Sequence, residues 1–95
     1  MKKIINQNNN IVDDMLSGYV KAHSDRVQFE PTNKRIIVRN VKKNKSKVPL
    51  IIGNGSGHEP IAVGWVGEGL LDANVVGDIF AAPSGDQIFE GIKLF

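Results

Sequence analysis

The stretch Gly53-Asn54-Gly55-Ser56-Gly57-His58-Glu59-Pro60 follows directly on the apolar run Val48-Pro49-Leu50-Ile51-Ile52, and together they limit the fold more than any other part of the chain. The run is apolar without alternation, as a strand covered on both faces requires, and it predicts a strand over Val48–Ile52. Glycines at every second position then predict a tight turn, in which missing side chains let backbone N–H groups approach a ligand closely. Pro60 suits the first position of a helix, so the expected order is strand, turn, short helix. That order predicts an α/β fold, part of a sheet with helices packed on it, with a binding loop at the carboxyl end of a strand.

No common motif covers this turn. The dinucleotide pattern G-x-G-x-x-G fails because His58 stands at the third glycine position, and a P-loop fails because no Gly-Lys-Ser/Thr follows. His58-Glu59 begins like a zinc-protease H-E-x-x-H, yet Ala62 stands where the second histidine belongs. In a G-x-S-x-G elbow the serine is third, whereas Ser56 is fourth. Two readings stay open. The glycines build either a ligand cradle or a bare strand-to-helix turn. His58 is either a general base beside that cradle or a cap histidine bonded to backbone. Ser56 is either a hydroxyl donor to ligand or a turn residue. Glu59 is expected to point elsewhere, so no His–Glu couple is implied.

Elsewhere the patterning is simpler. Ile11, Val12, Met15, Leu16, Tyr19 and Val20 recur at helical spacing and predict an amphipathic helix ending near Ala22-His23, with Asp13 and Asp14 at its positive end. His23 is expected as a favourable cation at the helix end. A short extended piece is expected over Arg26–Glu30, a strand over Arg35–Val41, and a third strand around Asn74–Val76. Ile61, Ala62, Trp65 and Val66 predict one face of the short helix after Pro60, with Trp65 in the core. Pro83 to Asp86 reads as a cap leading into a helix over Gln87–Phe95. Asp78 and Asp86 are expected in turn or cap roles.

The chain has no cysteine, which excludes disulfides, thiolate metal sites and cysteine nucleophiles. Its net charge of +2 comes largely from Lys34 to Lys47, a run without acids. Lacking interleaved aromatics, that run is expected to be a solvated connection between strands and not a nucleic-acid surface. The amino terminus turns polar too soon for a secretory leader, and no apolar stretch reaches membrane-spanning length. A cytoplasmic protein is expected, with no membrane partner. Gly91-Ile92-Lys93-Leu94-Phe95 stops in mid-pattern, so residues 1–95 are expected to be the amino-terminal portion of a longer domain.

Three motifs together, Gly-Ser-Gly-His-Glu-Pro at 55–60, Gly-Trp-Val-Gly-Glu-Gly at 64–69 and Gly-Asp-Ile-Phe-Ala-Ala-Pro at 77–83, resemble the amino-terminal part of the dihydroxyacetone kinase family. The opening Met1-Lys-Lys-Ile-Ile-Asn6 and the helix near Asp13 resemble it too, so the likeness runs through nearly the whole chain. It is strongest to the dihydroxyacetone-binding subunit of the phosphotransferase-dependent enzyme.

The resemblance implies that Gly55, Ser56, Gly57 and His58 contact a short ketose. It also implies that His58 acts as acid/base on the hydroxyl to be phosphorylated. ADP or ATP with Mg²⁺ is implied on a separate nucleotide-binding kinase subunit or domain, no cofactor or metal on this chain, and a homodimer for the complete protein. The family's covalent substrate anchor, a second histidine, and its further aspartate and lysine match no position here, so the chain alone is expected to be inactive. Asn54 stands where glycine is common, which makes it a further candidate for a polar contact, and Ala81-Ala82 stands where small hydroxyl residues are expected. Both leave dihydroxyacetone and a four-carbon, erythrulose-like ketose open as substrates. Two rivals remain: a non-catalytic sugar-binding or regulatory module of the same fold, and an anion-binding nucleotide domain.

Overall fold

A computed structural model describes residues 2–95. Four strands form one sheet in the order β1-β2-β4-β3, with β1 Val27–Glu30, β2 Asn33–Arg39, β3 Ile51–Ser56 and β4 Ala73–Ile79. β1 and β2 make an antiparallel hairpin, β2 runs antiparallel to β4, and β3 runs parallel to β4. The last pairing matters most, because it brings the carboxyl ends of β3 and β4 out side by side.

The helix α1, Ile11–Ala22, buries Val12 and Leu16 on one face of the sheet, as its periodicity requires. They meet Val27, Ile37 and Val76 from the strands, and Val63 and Val66 from the short 3-10 turn Val63–Trp65. The Tyr19 hydroxyl donates to the carbonyl of Val63 at 3.3 Å and ties that turn to α1. On the other face α2, Gly85–Lys93, sets Ile88 against Ile36, Ala73 and Val75. Ser84 caps α2, its hydroxyl accepting from the Gln87 N–H at 3.3 Å. The result is a mixed α/β sandwich: α1 and the 3-10 turn, the sheet, then α2.

Several expectations change. The strand expected over Val48–Ile52 is displaced to Ile51–Ser56, because pairing with β4 carries it through Gly53 to Ser56, with a register shift between Asn54 and Ser56. The short α-helix expected after Pro60 is instead a turn followed by the 3-10 segment, and Trp65 is 46% exposed, not in the core. His23 lies at the helix end, where its Nδ1 meets the Arg26 guanidinium.

The lysine-rich run is more than a solvated connection. Lys47 donates to Asp72 at 2.6 Å, Arg39 donates to the same carboxylate at 3.1 Å, and the Leu50 N–H adds a third bond at 2.8 Å. Asp72 is fully buried and Arg39 nearly so. Burial alone would raise the Asp72 pKa, but Lys47, the Leu50 amide and Arg39 outweigh it and hold the carboxyl below its ordinary value.

Candidate functional site

Sequence expectation places Asn54, Gly55, Ser56, Gly57 and His58 together, and all five lie at or just beyond the carboxyl end of β3. In parallel sheets this is where loops bind ligands. The neighbouring loop, residues 80–84, leaves the end of β4, and the Phe80 N–H donates to the Ser56 carbonyl at 2.7 Å.

The glycines divide into two kinds. Gly53 and Gly55 lie inside β3, and what they make room for is protein. A Cβ on Gly53 would strike Ile88, and one on Gly55 would come within 2.7 Å of the Ala81 backbone nitrogen. Gly57 alone adopts the left-handed region, at φ 115°, where the chain leaves the strand. Its N–H donates to the Glu59 carboxylate at 3.1 Å. Glu59, expected to point away, therefore turns back onto the loop.

Ser56 is buried, with its hydroxyl donating to the Gly77 carbonyl at 3.0 Å. That bond joins the ends of β3 and β4 and uses the hydroxyl proton, so Ser56 has no free hydroxyl donor for a ligand. His58 is exposed, and its Nδ1 lies 3.1 Å from the Ile61 carbonyl. A carbonyl only accepts, so Nδ1 carries the proton, and in the neutral ring Nε2 keeps the lone pair. The same Ile61 carbonyl accepts from Asn54 Nδ2 at 3.2 Å.

The surface at Gly57–Glu59 is open. A cavity of about 560 Å³ lies elsewhere, lined in part by Val38, Arg39, Lys42 and Phe95, and shares no residue with this loop. Among the described residues no three His, Asp or Glu side chains converge as a metal site. No described helix is long and apolar enough to cross a membrane. Sequence reasoning missed Asn74, which is wholly buried on β4 and donates to Asn54 Oδ1 at 2.6 Å. Only a polar residue within an otherwise apolar strand pattern could have signalled it.

Residues 17–95 match the Dak1 domain family. The chain belongs to that family. Over 94 residues it is 51% identical to the dihydroxyacetone-binding subunit DhaK of PTS-dependent dihydroxyacetone kinase 1 from Listeria innocua, covering 98% of this chain and 28% of that protein. The chain thus spans little more than a quarter of that relative's length. A crystal structure of the dihydroxyacetone kinase from C. freundii, in complex with AMP-PNP and Mg²⁺, superposes with a TM-score of 0.87 at 36% identity, over 98% of this Dak1 chain and 18% of that one. A dihydroxyacetone kinase operon co-activator, Dha-DhaQ, superposes with a TM-score of 0.75 at 37% identity, over 85% of this chain and 24% of that one.

Proposed function

We propose that this Dak1 chain supplies the ketose-contacting, proton-handling part of a dihydroxyacetone kinase. One observation carries the reading: His58, at the carboxyl end of β3, spends its Nδ1 proton on the Ile61 carbonyl and presents a free Nε2 to open solvent. A primary alcohol is far too weak an acid to ionise at neutral pH. A base that takes its proton as the new O–P bond forms accelerates phosphoryl transfer about 10²–10⁴-fold. A neutral imidazole of this tautomer suits that task. The backbone of Gly55 to Gly57 orients the ketose, with the Gly57 N–H exchanging the Glu59 carboxylate for a substrate oxygen. Asn54 lies next to them.

In this reading the nucleotide, with Mg²⁺, sits on a partner subunit or domain and supplies the phosphoryl group. Walls that close over the open loop come from outside these 95 residues, which form the amino-terminal part of the ketose-binding domain. The complete protein is a cytoplasmic homodimer.

Replacing His58 with alanine tests the proposal. In the assembled kinase, turnover falls about 10²–10⁴-fold while dihydroxyacetone still protects the protein against thermal unfolding. Undiminished turnover removes His58 from the chemistry. Protection by ATP and not by the ketose would favour a nucleotide-binding domain instead.

The likeness to an operon co-activator favours a second reading, a sugar-responsive regulatory module. That reading expects ketose binding to survive and no phosphorylated product to form under any donor supply.

A further inference from the structure

Asn74 makes a poor strand residue in its setting. It is wholly buried in the middle of the sheet, and its Oδ1 has no hydrogen-bond partner among the described residues. A buried, unpaired acceptor opposes folding, and an apolar residue of similar volume would avoid the penalty. Its Nδ2 is fully occupied, donating to the Ile52 carbonyl at 3.1 Å and to Asn54 Oδ1 at 2.6 Å. The second bond fixes which way the Asn54 amide faces. With Oδ1 turned to Asn74, Asn54 Nδ2 is directed outward, where it donates to the Gly55 carbonyl at 2.8 Å and to the Ile61 carbonyl at 3.2 Å. That last carbonyl also accepts from His58 Nδ1.

We propose that Asn74 and Asn54 are positioning residues, a two-amide relay from the centre of the sheet to the His58 ring that holds the ring in its Nδ1–H form. The relay rests on the reading of His58 as the proton-handling group only for its consequence in turnover; the geometry stands without it. Both lone pairs of the Ile61 carbonyl are used, one by Asn54 and one by His58. Asn54 therefore aims the carbonyl, and the carbonyl selects the tautomer. Side-chain partners of this kind fix the orientation and proton placement of a histidine without touching what it acts on. The residue at 54 is thus a determinant of the site through the Ile61 carbonyl that its amide holds.

The test uses ¹⁵N-labelled histidine in the protein, with the His58 signals assigned by their loss in His58→Ala; residues 1–95 hold two histidines, His23 and His58. At about pH 8, above the ordinary histidine range, ring nitrogen shifts report which nitrogen carries the proton. The unmodified chain shows His58 protonated on Nδ1. Asn54→Asp keeps an acceptor for Asn74 and loses the donor to Ile61, so the His58 signals move to the mixed tautomers of a free side chain while those of His23 stay put. Asn54→Gly, which carries no buried charge, gives the same shift if the aspartate variant does not fold.

A folded Asn54→Gly or Asn54→Asp chain with His58 signals unchanged overturns the relay. In the assembled kinase the same variants lower kcat about tenfold with KM within about twofold. A tautomer shift with full turnover upholds the relay and removes His58 from the chemistry, so the two failures are separable.

Discussion

β4 and the residue before it carry two buried polar side chains, Asp72 and Asn74, that do opposite work. Asp72 accepts bonds from Arg39, Lys47 and Leu50, which draws β2, the lysine-rich segment and the start of β3 onto one carboxylate. Asn74, two positions on, leaves an acceptor unpaired and splits its donors between the Ile52 carbonyl within β3 and Asn54 next to the loop. Both carboxylate oxygens of Asp72 are bonded and serve the fold, although Arg39 Nε beside them has no partner among the described residues. Asn74 is under-satisfied and leads to the candidate site. The contrast shows how to separate structural polarity from functional polarity in a small sheet: by asking whether the partners of a buried group end in the frame or at an exposed side chain.

Asp72→Ala should give the largest change in stability. It strands Arg39, whose side chain is 7% exposed, and Lys47 without their counter-charge. A loss of about 3–5 kcal/mol is expected from urea unfolding of the full chain; a loss below about 1 kcal/mol would mean the ion cluster is solvated and the contrast false. The pH dependence follows from the same carboxyl. Its folded pKa lies below the ordinary value of 3.8, so its contribution is complete above that value and disappears as pH falls through the folded pKa. Acid titration of stability should therefore steepen below about pH 4, and the steep limb should be missing in Asp72→Ala.

Smaller effects belong to the loop. Gly55→Ala places a Cβ against the Ala81 backbone and should lower stability by about 1–3 kcal/mol. Gly57→Ala meets only the movable ring of exposed Phe80, though at positive φ, and should lose about 1–2 kcal/mol. If the loop is built for a ligand, Gly57→Ala should weaken ketose binding more than its effect on folding explains, which calorimetric titration would show.

Much of the frame was legible from local pattern. The spacing of Val12, Leu16 and Tyr19 marks α1, the β-branched cluster at Ile36–Val38 marks β2, and Ser84 before Gln87 and Ile88 marks the start of α2. The α/β class was legible too, as was the position of Gly57 and His58 beyond a strand's carboxyl end. What local pattern could not reveal is pairing at a distance. β3 runs on through two glycines only because β4 lies beside it, and glycine in isolation reads as a turn. The carboxylate that gathers Arg39 and Lys47 lies far from both in sequence, so a run of lysines looked merely solvated. Asn54 was visible as a departure from glycine, but its partner Asn74 was not, because nothing nearby in sequence says which strand will stand opposite.

Ala81 rests its backbone on both Gly55 and Gly77, at separations that leave no space for even one methyl group. The floor of the loop is therefore fixed in height. If the loop holds a ketose as proposed, a descendant favouring a longer or shorter one would have to reshape the sides and rim, because the base offers no room for trial.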